Sequence, residues 1–391
     1  MARDPARLAR RPEEQQTTFL DLFLDLVFVF ALLQLSLVLR DRMHWSGAVE
    51  TLLLLLAVLW VWDATSSVSY TFDPRHSAIQ AVVIGCMFGS LVMAAAIPEA
   101  FGAHGLVFAG AYVAVHVGRS LLLVIISRGD ERQRLQVRLT LWYGVSAVPW
   151  LAGAVVQGWP RGVLWALALA VNITAFWIGW PVPRLGRANA SDLAITGMFL
   201  AERHRQFFII ALGGMILDIG LGLSSNPFDA DHVAAVVVAF ATTVLLWRIY
   251  IHRAGEVLAE AFAASCSPLR VTGGAVNAHL VMIAGTVVIS AGIHLVIRHA
   301  FGHTRPSWAA FILGGPALFL VGRATLEHTV FGRLSRSRVV AIFALLAIAP
   351  ATVFLSPLLV AAFAALVLVG VAVADAVRTR GRPPEPAAPP C

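Results

Sequence analysis

Two aspartates lie four residues apart inside an apolar run near the start of the chain. Asp21 and Asp25 fall within residues 19–39, FLDLFLDLVFVFALLQLSLVL, a stretch about as long as a bilayer is thick. A spacing of four places both carboxyl groups on one face of a helix. A carboxylate inside a membrane span costs roughly 2.5 to 3.5 kcal/mol, so it needs a partner, water or a place near the interface. The pair therefore marks candidate proton or cation sites, with an interfacial start to the helix as the alternative.

Further ionisable residues fall within other apolar runs or at their ends. The helical rise puts Asp25 and Arg119 at matching depths of roughly 9 to 11 Å from one membrane face, which predicts that they pair directly or through one water. The alternative is a salt bridge that only holds helices together. Isolated polar residues such as His116, Asn172 and His294 more often form hydrogen bonds between helices than ligand sites. The candidate buried polar or ion-path residues are Asp21, Asp25, Asp63, Arg119, Glu202, Asp218 and His279.

The composition is that of an integral membrane protein. Of 391 residues, 59% are hydrophobic and 13% are charged, which leaves too little polar surface for a soluble protein of this size. All 29 basic residues are arginine, and they gather in short segments between apolar runs. This placement indicates topology signals and excludes a nucleic-acid surface. The expected partners are the lipid bilayer and a proton, cation or small-molecule substrate, and a homo-oligomer stays open.

Apolar runs of span length recur twelve times, which predicts an all-α polytopic bundle. With the N-terminus inside, 23 arginines fall on the cytoplasmic side and 5 on the other. This excess predicts an inner (plasma) membrane protein with both termini in the cytoplasm. Because Ser356-Pro357 joins the last two runs, ten or eleven spans are alternatives. The predicted spans are 19–39, 47–67, 77–98, 104–126, 139–157, 162–181, 205–223, 232–251, 275–297, 307–326, 338–355 and 357–377.

The predicted organisation has three parts, and it provides no cofactor site. Residues 1–18 form a cytoplasmic segment, 19–377 the transmembrane domain, and 378–391 a disordered, proline-rich cytoplasmic tail. The sequence contains no phosphate-binding loop and no HExxH, GxSxG or CxxC motif. We therefore expect no cofactor and no metal, and a membrane-embedded enzyme is the third choice of function.

Three motifs resemble one known family. The run DLFLDLVFVFA at 21–31, followed by Gln34-Leu35, resembles the opening E-L-F-F-D-L-V-F-V-F-A and Q-L of the bacterial low temperature requirement A (LtrA) membrane proteins. The run AERHRQFFIIALGG at 201–214 resembles the family's A-E-R-F-G-L-F-V-I-I-A-L-G-E, with Gly214 in place of glutamate. His279-Leu280, followed by Gly285 and Gly292, is similar to H-L-P-L-x-x-G. The resemblance implies a polytopic helical membrane protein and leaves its activity open.

The first two motifs also resemble each other at an offset of 181 residues, which pairs Asp21 with Glu202. This offset predicts a parallel repeat of two six-span halves, 19–181 and 192–377. Phe23-Leu24-Asp25 has a distant similarity to the Phe-Ser-Asp motif of a family of six-helix-repeat potassium channels. The favoured function is a proton- or cation-linked transporter or ion pathway. The runner-up is a structural or regulatory membrane protein involved in cold or membrane adaptation.

Overall fold

The computed structural model describes residues 18–188, 197–252 and 268–380, together with residues 258, 260, 261, 265 and 387–389. The predicted N-terminal segment lies outside the described residues except for Thr18. Most of the predicted tail also lies outside them. Within the tail, the Ala388 amide donates to the Val330 carbonyl oxygen at 3.0 Å.

Twelve helices form within the described part of the chain, as the apolar runs predict. Eleven of them are long and apolar enough to cross a membrane when α3 and α11 are counted with the 3₁₀ turns that continue them to Glu99 and Phe354. The exception is α5, which has three arginines in its first seven residues and is less apolar. The protein is therefore a multi-pass helical bundle. The helices are α1 (Phe19–Asp41), α2 (Trp45–Thr71), α3 (Ser77–Ala96), α4 (Gly105–Ile126), α5 (Arg132–Val155), α6 (Trp159–Ile178), α7 (Gly197–Ser224), α8 (Ala230–Ile251), α9 (Pro268–Arg298), α10 (Pro306–Phe331), α11 (Arg336–Ile348) and α12 (Pro357–Thr379).

Local side chains fix several helix starts. The Asp229 carboxylate accepts a hydrogen bond from the His232 backbone amide at 2.9 Å and so caps α8. That bond, with the His232 ring beside it, lowers the pKa of Asp229. Ser356 caps α12 by accepting from the Leu359 amide, which separates α12 from the 3₁₀ turn Ala349–Phe354 after α11. The Ser356-Pro357 junction thus joins two distinct helices.

Several helices extend beyond their predicted ends, and the extensions of α7 and α10 move acidic residues out of predicted loops. Helix α7 begins at Gly197 rather than 205, so Glu202 is helical. Helix α10 runs to Phe331 rather than 326, which places Glu327 on it. A span predicted from hydropathy ends at the first charged residues. The hydrogen-bonded helix continues until a helix-breaking residue, and α10 ends at Gly332, which adopts the left-handed conformation.

The helices group into two compact units of six. The first unit comprises residues 1–38 and 46–199 and holds α1 to α6, apart from the end of α1. The second comprises residues 39–45 and 200–391 and holds α7 to α12. The predicted halves and the parallel relation between them stay predictions.

Glycines bring α9 and α10 of the second unit into backbone contact. A Cβ on Gly285 would lie 2.6 Å from the Phe319 backbone nitrogen, and one on Gly315 would lie 2.8 Å from that of Ile289. Small residues permit such approach between membrane helices, where packing drives association. Gly285, part of the third family-like motif, therefore has a packing role.

Candidate functional site

Asp21 forms a reciprocal cap at the start of α1. Its Oδ2 accepts from the Thr18 amide at 2.9 Å and from the Thr18 hydroxyl at 2.8 Å. The Asp21 amide lies 3.4 Å from the same hydroxyl oxygen, which completes a capping box. This geometry gives Asp21 a structural role at the helix end.

Asp25, one turn further along α1, is 1% exposed. The Trp62 indole N–H on α2 donates to its Oδ1 at 2.9 Å, which fixes the orientation of the carboxyl group. The predicted pair of Asp25 and Arg119, direct or through one water, stays a prediction. Matching depth places two groups in one layer of the bundle, but it does not by itself place them on facing helix sides.

Arg119 follows a π-helical turn in α4. Residues Ala114–Gly118 form this turn, which adds a residue to the helix and rotates the following side chains. His116, within this turn, and Arg119, directly after it, are both buried. The Arg119 guanidinium carbon lies 5.6 Å from the centroid of the Tyr143 ring on α5, a cation–π distance.

His116 belongs to a buried row of aromatic rings. Its ring centroid lies 4.4 Å from that of Tyr112 and 4.5 Å from that of Tyr143. Asn172 on α6 donates to the Tyr112 hydroxyl at 3.1 Å. Within the described residues, neither nitrogen of His116 has a hydrogen-bond partner, and nor does Nη1 of Arg119. We call Tyr112, His116, Arg119, Tyr143 and Asn172 the first-unit polar row.

Two predicted buried residues are at least partly open to the outside of the chain. Asp63 is exposed on α2, so its predicted burial is wrong. Glu202 is about one-third exposed and pairs along α7 with Arg205 and, at 3.1 Å, with Gln206. Apolar neighbours in sequence indicate a span, but they do not indicate which helix face a polar residue occupies.

His279 is buried and fully hydrogen-bonded. Its Nδ1 donates to the Ala275 carbonyl oxygen at 2.8 Å, so its Nε2 accepts from the Tyr250 hydroxyl at 2.9 Å. This assignment follows because a carbonyl oxygen can only accept. Both nitrogens of the neutral ring are therefore satisfied, which favours a structural role.

Asp218 on α7 lies close to two side chains of α9. Ser290 donates to its Oδ2, and His294 Nδ1 lies 3.8 Å from its Oδ1. Sequence reasoning treated Asp218 and His294 separately and omitted Ser290. The four-residue spacing of Ser290 and His294 was the available signal, since it puts both on one helix face.

A charge network that sequence reasoning missed ties together the ends of three helices in the second unit. Arg338 of α11, 1% exposed, lies 2.8 Å from Glu327 Oε2 of α10 and 2.9 Å from Asp375 Oδ2 of α12. A buried arginine held by two carboxylates is compensated in charge. Asp375 inside an otherwise apolar run was the signal for this network, while Arg338 looked like a topology signal.

Two further buried arginines bind helix ends. Arg161 donates to five carbonyl oxygens, those of Ala100, Gly102, Gly153, Ala154 and Val156, at 2.8 to 3.2 Å. Arg323 donates to the carbonyls of Ile249 and His252 at the end of α8. Cations at helix C-termini satisfy free carbonyls and complement the helix dipole.

The described residues include no group of three or more His, Cys, Asp or Glu side chains placed to hold a metal. The sites thus consist of buried hydrogen-bonding and titratable groups within membrane helices.

Comparison with known families agrees with this architecture. The family model of the bacterial low temperature requirement A protein (LtrA) matches residues 16–373. The chain belongs to the LtrA family. It is also 34% identical over 378 residues to the uncharacterized protein RA0937 of Rhizobium meliloti (strain 1021), an alignment that covers 95% of this chain and 92% of that protein. No solved structure matches it.

Membership in the LtrA family confirms the resemblance drawn from the three motifs. The first motif places Asp25 against Trp62, and the third places Gly285 at a helix contact and His279 in a hydrogen-bonded pair. The family motifs therefore contribute both a buried acid and packing determinants.

Proposed function

We propose that this LtrA protein is a proton- or cation-linked transporter or ion pathway of the plasma membrane, with both termini in the cytoplasm. The first-unit polar row and Asp25 are the groups proposed to carry the ion. The proton is the favoured cation, because the fixed positive charge of Arg119 repels metal cations. Protons, in contrast, transfer between imidazole, phenol and carboxyl groups.

The observation that carries this proposal is the burial of His116 without hydrogen-bond partners among the described residues. Its side chain is buried in the first unit, and within the described residues neither nitrogen has a hydrogen-bond partner. A buried polar group without a partner costs roughly 1 to 3 kcal/mol, and folded proteins keep few of them. A proton pathway accounts for this cost, since a relay needs a nitrogen that is free to accept and release a proton.

The π-helical turn is a second, independent support. It interrupts the regular hydrogen-bond ladder of α4 at His116, and both His116 and Arg119 are buried there. Such turns occur mostly as single insertions and frequently at functional sites.

Proton flux into vesicles tests the proposal. Purified protein is reconstituted with a trapped pH-sensitive dye, and a potassium diffusion potential of either sign drives protons. We expect flux above that of empty vesicles, and we expect Asp25→Asn and His116→Phe each to reduce it at least about tenfold, as loss of a relay group requires. Glu99→Gln is the matched control, because Glu99 is an exposed carboxylate at the end of α3.

Flux equal to that of empty vesicles at both polarities would overturn the proposal, as would equal flux in all the variants. The second candidate, a structural or regulatory protein, is favoured by the compensated charges of Arg338 and the satisfied nitrogens of His279. Under that alternative Asp25→Asn lowers the melting temperature, while the vesicles stay as proton-tight as empty ones.

A further inference from the structure

Helices α7 and α9 bring a carboxylate, a hydroxyl and an imidazole together in the second unit. The Asp218 carboxylate is 1% exposed and accepts from Ser290, while 11% of the His294 side chain is exposed. His294 lies about one turn from the end of α9 at Arg298, so this cluster is near one end of the bundle. We call Asp218, Ser290 and His294 the second-unit triad.

The separation between His294 and Asp218 shows how the two groups face each other. Nδ1 of His294 has no hydrogen-bond partner among the described residues and lies 3.8 Å from Asp218 Oδ1. A charge-assisted N–H···O bond measures about 2.7 to 2.9 Å between nitrogen and oxygen. The two atoms of this pair are therefore roughly 1 Å too far apart for such a bond. In the neutral tautomer whose proton is on Nε2, Nδ1 is an acceptor that faces the Asp218 oxygen. A proton added to Nδ1 of that tautomer makes it a donor to the carboxylate.

The surroundings favour neutralisation of the Asp218 charge. Gly222 of α7 packs against Ile297 of α9 beside the triad, which keeps the local dielectric low. Among the described residues, the other charges that act on His294 are Arg298 of its own helix and the Arg40 and Asp41 side chains. Since Arg40 and Asp41 pair with each other at 2.7 Å, they largely cancel. Asp218 is the carboxylate next to the imidazole.

We propose that the second-unit triad is a proton-binding site that holds one proton between His294 and Asp218. As the pH falls, a proton adds to Nδ1 of neutral His294, and the imidazolium then pairs with the Asp218 carboxylate. Ser290 holds the second carboxylate oxygen throughout. One carboxylate, one hydroxyl and one imidazole supply too few oxygen ligands for calcium or magnesium, so the ligand is the proton. This site is separate from the first-unit polar row and does not depend on its role.

Nuclear magnetic resonance of the full chain, labelled with ¹⁵N histidine and held in detergent micelles, tests this site. A pH titration follows the ring nitrogens, and His294→Gln identifies the resonance of interest. We expect His294 to gain its proton at Nδ1 and Asp218→Asn to lower the midpoint by at least about one pH unit, because the carboxylate stabilises the imidazolium. Asp231→Asn, which removes an exposed carboxylate from the start of α8, should leave the midpoint unchanged.

A second variant keeps the test decisive if Asp218→Asn does not fold. Ser290→Ala should raise the midpoint, because Asp218 then loses a donor and holds the shared proton more strongly. A midpoint that neither substitution moves would overturn the proposal, as would a His294 ring that stays neutral throughout. Asp25→Asn, which tests the first unit by flux, should leave this titration unchanged, so failure of either proposal is separately visible.

Discussion

The Arg161 side chain donates hydrogen bonds to carbonyl groups at two helix ends, so its removal should lower the stability of the fold. It is 2% exposed and donates to five backbone carbonyls. Because hydrogen bonds to charged groups contribute about 1.5 to 3 kcal/mol each, we expect Arg161→Ala to lower stability by about 3 kcal/mol or more. Thermal unfolding in detergent measures this, with exposed Arg128→Ala as the control. A melting temperature equal to that of the control would contradict the capping role.

Arg338 provides a different residue-level prediction, since its partners are charged. Arg338→Met leaves Glu327 and Asp375 buried without compensation, so stability should fall by roughly 3 to 5 kcal/mol. Adding Glu327→Gln and Asp375→Asn should recover part of the loss, because the two carboxylates that Arg338 balanced are then neutral. Denaturant unfolding of the single and triple variants checks this. Effects that only accumulate would show that the three side chains are independent.

At the level of residues, the sequence identified buried acids better than it identified their partners. Asp25 and Asp218 stand out because a charge in an apolar run is costly wherever it points. Trp62, Tyr143 and Ser290 do not stand out, since such residues are ordinary in membrane helices and only three-dimensional contact selects them. Asp63 shows the converse, because nothing in its apolar neighbours indicates that it faces outward.

Among the elements, the contact between α9 and α10 offers a matched pair of adjacent glycines. A Cβ at Gly315 would lie 2.8 Å from the Ile289 backbone nitrogen, whereas one at Gly314 would meet nothing within 4 Å. Gly315→Ala must therefore push the helices apart, and overpacking of this kind costs about 1 to 3 kcal/mol. Gly314→Ala should be neutral or slightly stabilising, because alanine is the better helix former. Equal melting temperatures for the two variants would exclude the close approach.

The twelve helices follow from run length, but their local irregularities do not. A bilayer requires about twenty apolar residues per helix, so the count can be predicted from the lengths of the apolar runs. The π-helical turn at Ala114–Gly118 lies inside one such run, and hydrophobic periodicity does not predict it. It lies directly before Arg119, so a depth estimate from a regular helical rise does not give the direction of that side chain.

Across the whole molecule, the two units place buried arginines at similar positions. Arg119 on α4 and Arg323 on α10 each lie about two turns before the end of the fourth helix of their unit. Arg138 on α5 and Arg338 on α11 lie near the start of the fifth. These corresponding positions favour the predicted parallel repeat. The arginines at these positions nevertheless have different partners. Arg119 stacks on a ring, whereas Arg323 caps a helix.

Sidedness is the whole-molecule prediction on which the cytoplasmic assignment depends. The excess of arginine predicts that the loops after α4 and α10 face the cytoplasm and that the loop after α7 faces outward. In a chain whose Cys86, Cys266 and Cys391 are replaced by alanine, single cysteines at exposed Glu131, Leu334 and Ser225 report on these loops. An impermeant maleimide should label Ser225→Cys in intact spheroplasts, but Glu131→Cys and Leu334→Cys only after permeabilisation. The reverse pattern would place both termini outside and Asp25 in the external half of the membrane. Labelling of all three sites in intact spheroplasts would mean that at least one of α5–α7 and at least one of α8–α10 does not cross the membrane.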